Sequence, residues 1–308
     1  MSSSLPVPSR AATVAALVLL CVIWGSTWLV IADGLKSLPP LTSLAARSLV
    51  AAAVMSVAAR WLLRFDRGEA PPWRLTLAVG SLQLGLSYVI VYVTETVLPT
   101  GLTSLLWAVF PIFVAIGSHF FLAGERLRRA QATGFAVGFV GVGVLFVRVL
   151  GAIDTRAVLF GLLLLASPLI STVSTIVAKR HAARVSSVLL NRNALYVAAT
   201  LHVLAALVFE HDAPADWTAR AVASVVYLAV FGTALAFGLY FWLLRTIAAH
   251  RMSLISYVNP AIALFLGWAV GKEPVTAWTI AGSALILLGV YLVVRGRAPA
   301  PAACDAEP

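Results

Sequence analysis

Two stretches of the chain carry the same ladder of residues, and its rungs suggest two kinds of chemistry. Ser104, Trp107 and Pro111 form the first set; Ser253, Ser256, Tyr257 and Pro260 form the second. Steps of three, four and seven put each set on one face of a helix. Serine hydroxyls beside an aromatic ring can hold and stack on a small amphiphile, or they can bridge neighbouring membrane helices. A proline inside an apolar helix frees a backbone carbonyl and kinks the axis. That suits a cavity wall, or a kink absorbed by packing. In both ladders a Glu follows, with glycines nine and sixteen residues beyond it: Glu125, Gly134, Gly141 and Glu273, Gly282, Gly289. The acids read as turn residues placed at the start of the next helix, where its dipole favours them. The glycines, with Gly138, read as points of close helix contact.

Other side chains stand out because they interrupt apolar runs. Arg47 lies about six residues into its run, and an ionisable group at that depth is a functional candidate by default. Glu95 sits at a compatible depth, so the two are expected to pair or to gate an outer vestibule. The alternative is that Arg47 reaches back to the headgroups while Glu95 merely lies at the surface. Arg192, between Asn191 and Asn193, reads either as the inverted counterpart of Arg47 or as an interfacial anchor. Trp24, Gln83, Tyr88, Tyr92 and Tyr240, with Phe237, offer polar and aromatic faces that can line a cavity or pack. His119 and His202 fall near the ends of their runs and read as wet, satisfied histidines. Catalysis finds no foothold: no GxSxG, HExxH, phosphate loop or cysteine–histidine metal spacing occurs. No cofactor or metal is expected.

The elements that must position these residues follow from composition. Hydrophobic residues make up 61% of 308 and charged ones 11%, against roughly 25% charge in soluble domains. Mean hydropathy is +0.97. The basic residues, net charge +10, fall in short clusters such as Arg126, Arg128 and Arg129. Clusters of that kind are topology signals, and they argue against nucleic acid as a partner. Cys21 and Cys304 give no disulfide framework. The apolar run from Ala11 to Ala32 exceeds the roughly 7–15 residues of a signal-peptide core, so it reads as a retained first span.

Ten segments approach the roughly 20 apolar residues of a spanning helix: 12–32, 41–61, 75–97, 100–122, 131–149, 157–178, 187–209, 221–244, 250–270 and 275–294. With the N-terminus cytoplasmic, fifteen Lys and Arg fall in inner segments and five in outer ones, which places both termini in the cytoplasm. The expected fold is an all-α membrane protein of ten helices. Residues 12–149 and 157–294 form two five-helix repeats, between a short N-terminal tail (1–11) and a disordered C-terminal one (295–308). Five is odd, so the second repeat is inverted, a recurrent transporter design with the site where the halves meet.

The motifs WGSTWLVIADGL from Trp24, AAR ending at Arg47, VFGTALAFGLYFWLLR from Val230 to Arg245, and the two ladders together resemble the drug/metabolite transporter superfamily in its ten-span EamA form. The resemblance covers Ala12 to Val294. It implies secondary transport, often export, of small metabolites such as amino acids, with the lipid bilayer and a small-molecule substrate as partners and a homodimer left open. A membrane scaffold or sensor built on the same fold is the alternative reading.

Overall fold

The computed structural model describes residues 9–98, 100–145, 155–262 and 277–295. Helix is the only regular structure among them, apart from one isolated backbone bridge between Glu69 and Val185. In chain order the helices are α1 Arg10–Gly34, α2 Pro40–Leu62, α3 Trp73–Glu95, α4 Thr100–Trp107, α5 Phe110–Phe121, α6 Arg129–Leu145 and α7 Thr155–His181. There follow α8 Ser187–Phe209, α9 Ala219–Leu244, α10 Ala249–Met252, α11 over 255–262 and α12 Ala277–Arg295. Six of them (α1, α2, α3, α7, α8 and α9) are long and apolar enough to cross a membrane. Their outward faces carry large apolar side chains such as Val18, Leu29, Leu162 and Phe209, as expected of helices that meet lipid.

Segment 100–122, expected as one span, is two helices. A turn at Ala108 and Val109 separates α4 from α5, and Pro111 stands in the first turn of α5. Proline disfavours helical geometry in the residue before it but suits a helix start, where its missing N–H costs nothing. In the second ladder the turn falls at Ser253 and Leu254, ahead of α11, and Pro260 lies within α11. Breaks at different points of the two ladders rotate the residues on either side, so neither ladder presents one continuous face.

Two antiparallel helix pairs organise the rest. The first is α2 with α8, tied at both ends by acids. Glu210, just beyond α8, accepts hydrogen bonds from the backbone N–H of Leu41 and Thr42 (2.9 and 2.7 Å) at the start of α2. Asp66, just beyond α2, accepts from the backbone N–H of Val188 (3.1 Å) and from the Ser186 and Ser187 hydroxyls at the start of α8. Acidic groups belong at helix N-termini, where N–H donors lack intrahelical partners. Asp66 also pairs with Arg245 at 2.6 Å. Burial alone would raise the Asp66 pKa, but hydrogen bonds from Arg245, Val188 and Gly68, with the Arg245 charge, outweigh it and hold the carboxyl below its ordinary value.

The second pair, α6 with α12, meets along glycines. A Cβ on Gly289 would lie 2.5 Å from the Gly138 nitrogen, and one on Gly134 2.8 Å from the Gly289 carbonyl. One on Gly141 would lie 2.9 Å from the Gly282 carbonyl. Only hydrogen at these positions lets the backbones approach so closely.

Both α3 and α9 contain a π-helical stretch, Val79–Leu86 and Val230–Leu235. Such stretches are rare and concentrate at functional sites. Here they shape the centre of the molecule.

Candidate functional site

At the centre lies a cavity of about 70 Å³, whose walls come from α1, α2, α3, α4, α5, α9 and α11. Its character is aromatic. Trp24 packs on Phe237 and Tyr240, with ring centroids 5.4 and 5.6 Å apart. A second group forms where Trp107 packs on Phe110 at 5.2 Å and Trp28 at 6.2 Å. Apolar and aromatic walls with a few convergent polar groups are the usual make-up of a small-molecule site.

The polar groups come next. Arg47 on α2 is 1% exposed and its guanidinium carbon stands 4.5 Å from the centre of the Tyr88 ring. Its Nε donates to the Thr233 hydroxyl (2.8 Å), Nη1 to the Tyr92 hydroxyl (3.1 Å) and Nη2 to the Gly232 carbonyl (3.4 Å). The π turn of α9 makes this possible: Thr233 bonds back to the Leu228 carbonyl at 2.8 Å, five residues earlier, and the backbone around Gly232 is offered to Arg47 and to Trp24 Nε1 (3.3 Å). Gln83, from the π stretch of α3, accepts from Thr175 at 3.4 Å, and Thr175 shares a hydrogen bond with the Tyr240 hydroxyl at 3.0 Å. Two polar atoms on cavity-lining residues are buried without a hydrogen-bond partner among the described residues, the Trp107 indole Nε1 and the Asn259 carbonyl Oδ1.

Of the residues singled out from sequence, Trp24, Arg47, Gln83, Tyr88, Trp107, Phe237, Tyr240 and Ser256 line the cavity. Tyr92 stands behind Arg47 and holds it. The others lie elsewhere. Tyr257 is fully buried, donates to the Phe135 carbonyl at 2.9 Å and packs against Gly138, so it belongs to the α6 contact. Ser253 donates to the His250 carbonyl at 2.8 Å within its turn. Ser104, Pro111 and Pro260 are buried away from the cavity wall, and Phe110 and Asn259, the residues just before the prolines, line it instead.

The expected Arg47–Glu95 pair does not form. Glu95 is 7% exposed, yet neither carboxyl oxygen has a partner. Arg192 is half-buried and turns to Asn193 Oδ1 at 3.1 Å, while Asn191 donates to the Ala234 carbonyl at 2.9 Å. His202 is buried, not wet; it bonds Ser48 Oγ (2.7 Å) and faces the Gly85 carbonyl (3.2 Å). Glu125 does not start its own next helix. It accepts from the Ala249 N–H at 2.8 Å, beside Lys179 at 3.8 Å and His250 at 3.4 Å, and so caps α10. Glu273 lies outside the described residues.

Thr27, Trp28, Ile31, Phe110 and Asn259 also line the cavity and were missed by the sequence reading. Thr27, Trp28 and Ile31 stand three, four and seven residues after Trp24, a helical stripe that was open to view. A larger hollow of about 500 Å³ lies between α2, α8 and α9, with Asp66, Ser187 and Arg245 as its polar residues.

A model of the EamA-like transporter family matches the sequence twice, over residues 11–147 and 159–295. The chain belongs to the EamA-like transporter family. It is 28% identical over 276 residues to the uncharacterized transporter YoaV of Bacillus subtilis, covering 88% of this chain and 92% of that one. The uncharacterized inner membrane transporter YedA of Escherichia coli is 28% identical over 294 residues, with 93% and 92% covered. A probable amino-acid metabolite efflux pump of Salmonella typhimurium is 28% identical over 295 residues, with 90% and 93% covered. A solved crystal structure superposes with a TM-score of 0.77 at 23% identity, covering 92% of this chain and 96% of that one, so the fold is shared. The protein is an integral membrane transporter of this family.

Proposed function

We propose that the chain moves a small metabolite across the cell membrane by alternating access, exporting an amino acid or a related compound. The observation that carries this reading is the central cavity: an aromatic-walled space with a buried arginine, enclosed by helices from both matched regions. The ten-span arrangement, with two inverted five-helix halves and both termini cytoplasmic, is part of the proposal. Three features support it. The helices that correspond between the halves, α2 with α8 and α6 with α12, pack antiparallel, as an in-plane two-fold demands. The π stretches fall in corresponding helices, α3 and α9. The family model matches once per half. Export of amino-acid metabolites draws on the name of the Salmonella relative.

At about 70 Å³ the cavity has room for a few waters, far below the roughly 300–1,000 Å³ of an open ligand site. In this conformation the pathway is closed around its centre, and the halves must part to admit a metabolite. Loaded proteoliposomes test the function directly. Flux of some members of a broad metabolite panel is expected. Folded protein that moves none of them would favour the scaffold or sensor reading.

A further inference from the structure

We infer that the central cavity is built for a small organic anion, an aromatic carboxylate bearing a hydrogen-bond donor, in preference to amines or neutral amides. The inference rests on the transporter reading and narrows its substrate.

Charge is the first argument. Arg47 is the only formally charged side chain among the described residues that line the cavity. An arginine stays protonated in proteins, and here every acceptor it reaches (a hydroxyl on Thr233, a hydroxyl on Tyr92, a backbone carbonyl on Gly232) is neutral. The Tyr88 face offsets part of the cost of burial, but among the described residues no carboxylate hydrogen-bonds the guanidinium. Glu95, one turn past Tyr92 on α3, makes no ion pair with Arg47 and stands off the cavity wall. Glu95 is near enough for its charge to be felt, but a buried cation without a directly bonded counter-ion is still costly, and an entering carboxylate relieves that cost where an ammonium would add to it.

The second argument is the pair of orphaned polar atoms. The Trp107 Nε1 is a donor and the Asn259 Oδ1 an acceptor, each buried and unpartnered. Buried polar groups are nearly always satisfied. A carboxylate can accept from the indole N–H, and a hydroxyl or N–H elsewhere on the ligand can serve Asn259. The third is the wall's make-up: two groups of packed rings, Trp24 with Phe237 and Tyr240 and Trp107 with Trp28 and Phe110, line the cavity and favour a ligand with an aromatic body.

Titration calorimetry of the purified full chain with a matched set of indole compounds tests this without altering the protein: indole-3-acetate, its primary amide and tryptamine. The acetate is expected to bind at least about tenfold more tightly than either, the least that one charge-assisted hydrogen bond supplies. Equal or tighter binding of the amine or amide overturns the inference. Trp107→Phe keeps the ring and removes the donor; it should weaken the acetate several-fold and leave the amine unchanged. Arg47→Gln should abolish the acid-over-amide preference if it folds, and the ligand series and Trp107→Phe decide the matter if it does not. The same compounds in proteoliposomes separate the two readings. Flux of amines or neutral compounds with no preference for acids overturns the anion assignment and leaves transport standing. Selective acid binding with no flux of any compound overturns transport and leaves the anion site standing.

Discussion

Asp66→Ala is the substitution whose cost the structure specifies most closely. The carboxylate receives five hydrogen bonds: from the Gly68 and Val188 N–H groups, the Ser186 and Ser187 hydroxyls, and Arg245 Nη2. Asp66 and Arg245 side chains are only 8% and 10% exposed, so this pair is not a weak surface one. Truncation leaves Arg245 buried with the Val185 carbonyl as its remaining acceptor and strips one cap from the start of α8. Breaking a buried pair from one side costs about 3–5 kcal/mol. The Ser186 hydroxyl still caps Leu189, so the helix end adds only a fraction of the roughly 1 kcal/mol a lost cap usually costs. Both residues border the hollow of about 500 Å³ and are part-buried, so the expected loss falls below the full buried-pair cost, to about 2–3 kcal/mol, read as reversible unfolding in mixed micelles. Adding Arg245→Met to Asp66→Ala removes the stranded charge and should recover at least about 1 kcal/mol of that loss. A single-variant cost below about 1 kcal/mol, or a double variant equal to the sum of the singles, would refute the reasoning.

The same carboxyl predicts a pH response. Its folded pKa lies below the ordinary one, so its stabilisation is complete above the unfolded value of about 3.9 and fades as pH falls through the lower folded value. Asp66→Asn should flatten the wild-type decline in thermal stability over that acid range, and identical pH profiles would contradict it. Gly289→Ala drives a methyl into the backbone of α6 and should cost about 1–3 kcal/mol or more; Gly161→Ala, whose nearest neighbour is the Leu106 side chain at 3.3 Å, should cost less than about 1 kcal/mol. Unfolding titrations that rank these two the other way would count against the glycine contact. Cysteine at Trp107 should react with a soluble thiol reagent when the pathway opens, whereas cysteine at Tyr257, held in the α6 contact, should not. Glu95→Gln exchanges a carboxyl that has no hydrogen bond to lose, so folding stability should stay within about 1 kcal/mol of wild type, and a larger drop would reveal a partner acquired in solution.

Helix existence was legible because apolar runs of membrane length leave the backbone no alternative. Trp24, Arg47, Gln83, Tyr88, Trp107 and Tyr240 were legible for a related reason: polar or large aromatic groups in such runs need somewhere to go, and the cavity is where these went. What failed was the assumption that the ladders are unbroken helices. Spacing of three, four and seven predicts a shared face only along a continuous axis, and the turns at Ala108–Val109 and Ser253–Leu254 break that axis. Tyr257 was lost for a different reason: α11 turns Ser256 and Asn259, three residues apart, to the cavity and carries Tyr257 off that face to α6; Asn259 was overlooked beside the more conspicuous Pro260. The π stretches, which bring Thr233 and Gly232 to Arg47, carry no periodic signature, since one extra residue per turn barely alters an all-apolar pattern.

The reciprocal acid ties between α2 and α8 bear on how the protein is made. Pro40 leaves the ribosome some 170 residues before Glu210, the acid that terminates its helix. Asp66 likewise waits for Ser186 and Val188 to be synthesised before its own charge is answered. Each half is born missing an ending that only the other provides. The ties that fix α2 against α8 can therefore form only after both helices have been made, so this pairing closes late in synthesis.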